Sequence, residues 1–585
     1  MAARVGLLRR PAAWPRGGGR PTPPPHPQPR RRFGAPDTAD TDPRQRERPP
    51  WGAGDAGSEG KSRKRTLAEV QAERAEQARR TVLINCPHKI NEKKFLNYLS
   101  QHGDVNSHFF FESYGVRAVV EFSKKQSVAS LLEAARLPGA EAESVVPFKS
   151  RFLNLKLKNP SIQTANSVSV QCINQSTRPY KEFITTLCEA ESIENQLYML
   201  IEKYQITEEN IQLRYLVCSF IEDIAAAYFP SCTIKLFGSS VNTFGKLGCD
   251  VDMFLDLDNL GKISTKKAAD PYLMEFQMKN VSSERVATQK ILSVIGECLD
   301  NFGPGCVGVQ KILNANCPLV RFSHQPSGFQ CDLTANNRIA LKSSELLYLY
   351  GTLDPRVRAL VFSVRCWAHV HALTSSIPGP WLTNFSLTMM VLFFLQKRSP
   401  PVIPTLNHLK TLADAEDKSI IQGHDCTFVS NLNKIKPSEN TESLDVLLSQ
   451  FFEFFGNFSF SKNSISIRKG KEQNKPDSSP LYIQNPFEQT LNISKNVNQS
   501  QLQKFVDLAR ESAWILQQED RCRPSASSNQ PWGLAALLHG SASGNKGQDK
   551  SPRREPASKR IRSLLNTIKA DFSQRSPGSS GGKDL

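Results

Sequence analysis

Apolar residues recur along this chain with two periods. From Thr81, TVLINCP reads as a strand, and NEKKFLNYLSQHG as a helix closed by Gly103. VNSHFFFES and GVRAVVEF read as two strands, and SKKQSVASLLEAA returns to helical spacing. A last strand of this β-α-β-β-α unit is expected near ESVVPF. Further on, Leu197, Ile201 and Tyr204, then Leu213, Leu216, Val217, Phe220, Ile221 and Ile224, repeat every three or four positions and predict long helical structure. The period falls to two in CTIKLF, where Ile234 and Leu236 share a side. In CDVDMFLDLD, Val251, Met253, Leu255 and Leu257 take one face, and Asp250, Asp252 and Asp256 the other. Beyond Ser344 the pattern is mainly helical to about Gln518.

The ends are different. Residues 1–36 hold eight arginines and no Asp or Glu, as mitochondrial transit peptides do, although serine is absent. Residues 37–63 are polar and rich in Pro and Gly, a disordered linker by composition. RTLAEVQAERAEQARR predicts a charged, exposed helix. Residues 520–585 read as a disordered basic tail, with ten Lys or Arg against four Asp or Glu within 541–585. Between these lie an α/β unit (64–150), a connector without clear period (151–190), a mixed helix-and-strand unit (191–340) and a helical unit (341–519).

Charge and cysteine narrow the class. The formal charge is +18, and taking away the eight N-terminal arginines still leaves +10, which suits a polyanion such as nucleic acid. The thirteen cysteines include no C-x-x-C pair, so neither a zinc site nor a disulfide framework is indicated. The longest apolar run, FSLTMMVLFFL, has eleven residues, too few to span a bilayer. The first α/β unit resembles an RRM. RNA-reading sheets carry exposed aromatics, whereas YGVRAVVEF offers Arg117 and Val119 near those positions. Two uses stay open: a small RNA-binding module that works by charge, or a sheet face docked on another domain or subunit. Such a unit could also support a homodimer.

The chemistry gathers around FGSSVNTFGKLGCDVDMFLDLD. Gly238 keeps side chains out of the way, so backbone amides and the Ser239 hydroxyl can approach a phosphate. Asp250 and Asp252 stand about 7 Å apart along one strand face, close enough to hold a divalent ion through oxygen ligands. A lone D-x-D is more often a solvated face. Here it follows a Gly-Ser turn by twelve residues, and GFQCDLT supplies a third strand carboxylate, Asp332.

Gly-Ser, D-x-D and a distant strand Asp together resemble the nucleotidyltransferases that share the DNA polymerase β palm. NNRIALKSSELLYLYGTLDPRVRALVFSVRCWAHVHAL and NFSLTMMVLFFLQKRSPPVIPTL look like the central domain of terminal poly(A)/poly(U) polymerases, and PLYIQNPFEQTLNISKNV resembles their nucleotide-recognition motif. The resemblance runs from about Ser192 to Gln518. It implies an α+β architecture: a palm with a mixed β-sheet and helices, joined to a mainly helical central domain, behind the RRM-like α/β domain. It also implies Mg²⁺ (or Mn²⁺) as cofactor, with Asp250 and Asp252 bridging two ions and Asp332 joining them on the ion that holds an RNA 3′-hydroxyl.

Other roles follow from the same resemblance. Ser239 falls on a phosphate-contacting serine after Gly238. Arg365 and His369 fall on two triphosphate-binding lysine positions. Phe385 stands for a base-stacking tyrosine, and Asn384 for a serine near the phosphates. Ser343 replaces an asparagine on the ribose, and Cys249 a serine before the first aspartate. Asn485 and Glu488 align with contacts to the base edge, and Leu491 occupies a histidine position of the uridylyl transferases, so ATP is the expected nucleotide. The family reading is therefore a template-independent enzyme that adds AMP to RNA 3′ ends in the mitochondrial matrix. The alternatives are a uridylyl or relaxed transferase, and a non-enzymatic RNA scaffold on the same fold.

Overall fold

Two five-stranded sheets and one helical core organise the chain. The structure, a computed structural model, describes residues 64–135, 149–156, 170–171, 180–230, 232–257, 283–519 and 530–539. The expected transit peptide (1–36), linker (37–63) and ESVVPF strand (143–148) lie outside them.

The first sheet follows α1 (Leu67–Arg79), whose N-terminus is closed by a capping box between Thr66 and Glu69. Then come β1 (Thr81–Asn85), α2 (Glu92–Leu99), β2 (Val105–Glu112), β3 (Val116–Phe122), α3 (Lys125–Ala134), β4 (Phe152–Asn154) and β5 (Val170–Gln171), in sheet order β4-β1-β3-β2-β5. β4 and β5 occur where the sequence reads as connector. Both are too short to show a period, and each adds at an edge in parallel. α2 and α3 cover one sheet face, with Val82, Ile84, Phe110, Ala118 and Val120 packed beneath them. Leu83, Phe109, Phe111 and Val119 point to the other face and join the core of the second sheet. This face of the RRM-like sheet is docked: Arg117 and Val119 are buried, and among the described residues no aromatic platform on it faces solvent.

Arg151 pins that contact. Its guanidinium donates to Asp223 at 2.8 Å and to Ser219 Oγ at 2.6 Å, and lies over the Phe220 ring. α1 is not the exposed helix the sequence suggests. Leu67 and Ala78 are buried, Arg74 pairs with Glu208, and Arg79 pairs with Glu222 at 3.0 Å. Its mostly charged composition hides a two-residue anchor.

Next are α4 (Tyr180–Cys188), α5 (Ile193–Tyr204) and α6 (Glu208–Ala226). Thr207 caps α6, its side chain accepting from the Asn210 amide, so the long helical stretch breaks between Tyr204 and Glu208. The second sheet holds β6 (Thr233–Phe237), β7 (Val251–Asp256), β8 (Cys306–Ile312), β9 (Leu319–His324) and β10 (Phe329–Thr334), in order β6-β7-β10-β9-β8. β7 and β10 are parallel and the other pairs antiparallel, giving the mixed palm sheet expected. α6 and α7 (Glu284–Phe302) bury its apolar face through Leu216, Phe220, Ile295 and Leu299.

The remaining helices join α4 and α5 in the helical core: α8 (Arg338–Leu353), α9 (Pro355–Val370), α10 (Asn384–Gln396), α11 (Leu406–Thr411), α12 (Leu444–Gly456), α13 (Gln499–Glu519) and α14 (Gly533–His539). α9 starts on the Asp354 cap with Pro355 in its first turn. α10 is the eleven-residue apolar run; every residue from Ser386 to Gln396 is buried, and no helix among the described residues is long and apolar enough to cross a membrane. Two corrections belong here. Residues 397–443 and 457–498 are mostly loops and short turns rather than helix, because Pro, Asn and Ser punctuate them. And α14, inside the stretch read as a disordered tail, is buried through Leu534, Ala535, Leu537 and Leu538. Five apolar residues inside a basic, Ser-rich background are masked by its average.

Candidate active site

The palm sheet brings its acids together by register. Asp252 on β7 stands opposite Asp332 on β10, and Phe237 on β6 stands opposite Asp252. Asp250 is exposed just before β7 begins. Burial, then the charges of Asp332 and Asp250, push the Asp252 carboxyl up to about 7. Asp256, further along the same face, is not part of this group. It is buried and paired with Lys235 at 2.8 Å and with Arg338 at 3.4 Å.

The turn before the acids is held from beneath. Gly238 opens a 3-10 turn, Gly238–Ser240, at φ +63°, and a Cβ there would lie 2.5 Å from Asp252 Oδ2. Only glycine fits, since both the backbone and the carboxylate exclude a side chain. The Gly238 amide donates to Ser344 Oγ on α8 at 2.8 Å, and Ser239 Oγ donates to Cys249 Sγ at 3.2 Å. Fully buried Arg214 locks the loop, giving hydrogen bonds to Ser240 Oγ (2.9 Å), Asp250 O (3.0 Å) and Cys249 O (2.8 Å). Sequence reasoning passed over Arg214 because it sits within an apolar helical stripe. Its position in that stripe was the only signal.

The helical side of the site divides. Ser343 donates to Ile339 O at 2.9 Å within its own helix. Arg365 spends its donors inside the protein: on Phe244 O at 2.9 Å, Asn384 O at 3.2 Å and the Thr388 hydroxyl. Burial lowers its guanidinium to about 10. It thus ties the palm loop to α10. His369 lies on the exposed side of α9, and local burial with the Lys246 ammonium lowers its imidazole. Asn384 is exposed at the start of α10, and Phe385 is half-buried against the helical core.

Asn485 shapes the recognition loop from within. It is buried, its Oδ1 accepts from the Phe487 and Glu488 amides at 2.9 and 3.0 Å, and its Nδ2 faces Glu488 Oε2 at 3.5 Å. Phe487 stacks on Phe428 with ring centroids 6.1 Å apart, and the Lys342 ammonium lies 4.9 Å from the Phe428 ring. This chain of contacts joins α8, which also holds the Gly-Ser turn, to the loop of Asn485.

The set fits a divalent cation by charge and donor type: three carboxylates, one with its pKa pushed up by burial and then by the other two. It is not a closed cage. Among the described residues no cluster of three or more His, Cys, Asp or Glu is arranged as ready metal ligands, and Asp332 is already gripped by Arg321.

Comparison with known proteins decides the family. The central palm domain of the "Poly(A) RNA polymerase, mitochondrial-like" family matches residues 193–352, an RL domain matches 66–136, and the "Cid1 family poly A polymerase" domain matches 443–491. The mitochondrial poly(A) RNA polymerase of Mus musculus is 65% identical over 531 residues, covering 91% of each chain. The chain belongs to the mitochondrial poly(A) RNA polymerase family. The Homo sapiens member is 64% identical over 540 residues, with 92% of each chain covered. The crystal structure of mtPAP in apo form superposes with a TM-score of 0.77 at 64% identity, over 81% of this chain and 99% of that one. The mtPAP structures in complex with ATPγS and with UTP give 0.76 and 0.75, at 62% and 61% identity and the same coverage. The mixed palm, helical domain and N-terminal RRM-like domain expected from sequence are those of this mitochondrial poly(A) polymerase family, an enzyme family of nucleotidyltransferases whose polymerases use divalent metals.

Proposed function

We propose that this chain is a template-independent RNA 3′-adenylyltransferase that extends RNA with AMP from ATP in the mitochondrion. The supporting observation is the in-register pair Asp252–Asp332 behind the Gly238 turn, in a chain 65% identical to a mitochondrial poly(A) RNA polymerase. In this reading Asp250, Asp252 and Asp332 hold Mg²⁺ or Mn²⁺. A bound divalent ion supplies Lewis acidity toward the RNA 3′-hydroxyl and offsets charge on the departing pyrophosphate.

The chain's own groups then orient the reactants. Gly238, without a side chain, lets the phosphate-approaching turn lie directly against Asp252, and Ser239 presents its hydroxyl beside that turn. Phe385 offers a half-exposed ring for the base, with Asn384 exposed beside it. Glu488, fixed by Asn485, faces the base edge. Arg365 acts on the triphosphate through the loop it holds at Phe244 rather than by direct contact. His369 lends a weaker grip than a lysine. The opening residues 1–36 serve as the transit peptide, and the matrix is the compartment. A homodimer through the RRM-like domain has to use surfaces other than the sheet face already docked on the palm.

A second reading has its own support, since mtPAP is described in complex with UTP as well as ATPγS. In that reading nucleotide choice is relaxed and U is added as readily as A. Purified chain, a labelled RNA oligonucleotide and each NTP separately distinguish the two. Long tails with ATP alone are expected, and equal tails with UTP would replace the ATP assignment.

A further inference from the structure

One row of residues crosses the palm sheet: Phe237, Asp252, Asp332, Arg321 and Gln310, on β6, β7, β10, β9 and β8. Its two middle members on the β10 side are joined. Arg321 Nε donates to Asp332 Oδ1 at 2.7 Å, and Arg321 Nη2 donates to Oδ2 at 2.6 Å. Both side chains remain reachable, Arg321 at 47% exposure and Asp332 at 18%. Arg321 therefore stands on the opposite side of Asp332 from Asp252, in the same row and in direct contact with the third carboxylate.

An exposed cross-strand pair is ordinarily worth little. This one differs in where it sits. The fork takes a lone pair from each oxygen of Asp332, leaving about half of that carboxylate's acceptor capacity. It also fixes a positive charge that cannot be shed by deprotonation. A divalent ion that uses Asp332 meets that charge across the carboxylate. Without the ion, the same charge relieves the repulsion among Asp250, Asp252 and Asp332, as expected of like charges on neighbouring strand positions.

We infer that Arg321 is the built-in counter-ion of the aspartate row: it holds Asp332 while no divalent ion is bound and competes with that ion for the carboxylate. This rests on the reading of the three aspartates as metal ligands. Arg321 is a positioning residue, acting through Asp332. Its role is to keep the palm intact without metal and to set how readily the Asp332-dependent ion binds.

The test uses the full chain and Mn²⁺ alone, without nucleotide or RNA, with free Mn²⁺ counted by electron paramagnetic resonance. Arg321→Gln is expected to bind the Asp332-dependent ion on the order of ten-fold more tightly than the parent. Arg321→Lys, which keeps the charge and loses the fork, falls between, and Asp332→Asn abolishes the difference. The Arg321→Gln melting temperature drops without metal and recovers with Mn²⁺. A folded Arg321→Gln whose Mn²⁺ affinity equals or falls below the parent's overturns the inference and leaves the metal reading standing. If Arg321→Gln does not fold, Arg321→Lys decides on the same criterion. Absence of Mn²⁺ binding in the parent overturns both.

Discussion

The two five-stranded sheets handle charge in opposite ways. The RRM-like sheet is covered on both faces, by its own helices on one side and by the palm core on the other. Its arginines, Arg117 and Arg151, are buried and tie strands to neighbours. The palm sheet buries one face and leaves the other to a row of acids, and its Arg321 stays half-exposed against one of them. A sheet with both faces sealed can only hold things together. The open palm face can hold a cluster of like charges within reach of solvent, which costs stability and makes chemistry possible.

This contrast breaks most sharply at Asp332. Asp332→Ala is expected to reduce RNA extension by about a thousand-fold or more while the melting curve stays near the parent's, because the arginine it releases already reaches solvent. Retained extension would remove Asp332 from the site. Arg151→Met should do the reverse. Loss of its hydrogen bonds to Ser219 and Ala78 and its pair with Asp223 is expected to cost about 2–4 kcal/mol of stability, read by urea unfolding, with kcat on folded enzyme little changed.

The smallest effect belongs to His324, at the end of β9. Its Nε2 is buried without a hydrogen-bond partner among the described residues, and burial, with the Arg117 charge, lowers the imidazole to about 3. A histidine whose folded pKa is depressed contributes stability that is complete above its ordinary value near 6.5 and is lost as pH falls toward 3. Between pH 7 and 5.5 that loss is about 1 kcal/mol. His324→Gln should flatten the dependence by that amount, and an unchanged slope would show that other groups govern it.

The sequence carried the catalytic half of this picture well, because alternation in CDVDMFLDLD puts apolar and acidic residues on opposite faces whatever surrounds them. It could not carry partners that come from distant strands. That Asp332 meets Asp252, or that Arg321 meets Asp332, depends on the order β7-β10-β9, which no local period encodes. Arg365 shows the same limit: its place in the helix was legible, and its three internal acceptors on Phe244, Asn384 and Thr388 were not. Short elements were missed for another reason. β4 has three residues and β5 two, below any periodic signal, and α14 is a seven-residue apolar island in a polar surround.

That island has a consequence for how the molecule is made. The Gln196 side chain donates to Trp532 O and accepts from the Leu534 amide, and Tyr180 donates to Leu538 O. Gln196 and Trp532 are 336 residues apart. At translation speeds of roughly 5–20 residues per second, the groove left by α4 and α5 waits roughly 20–70 seconds for its occupant to emerge from the ribosome. A message cut short before Gly533 yields a protein in which that groove never fills.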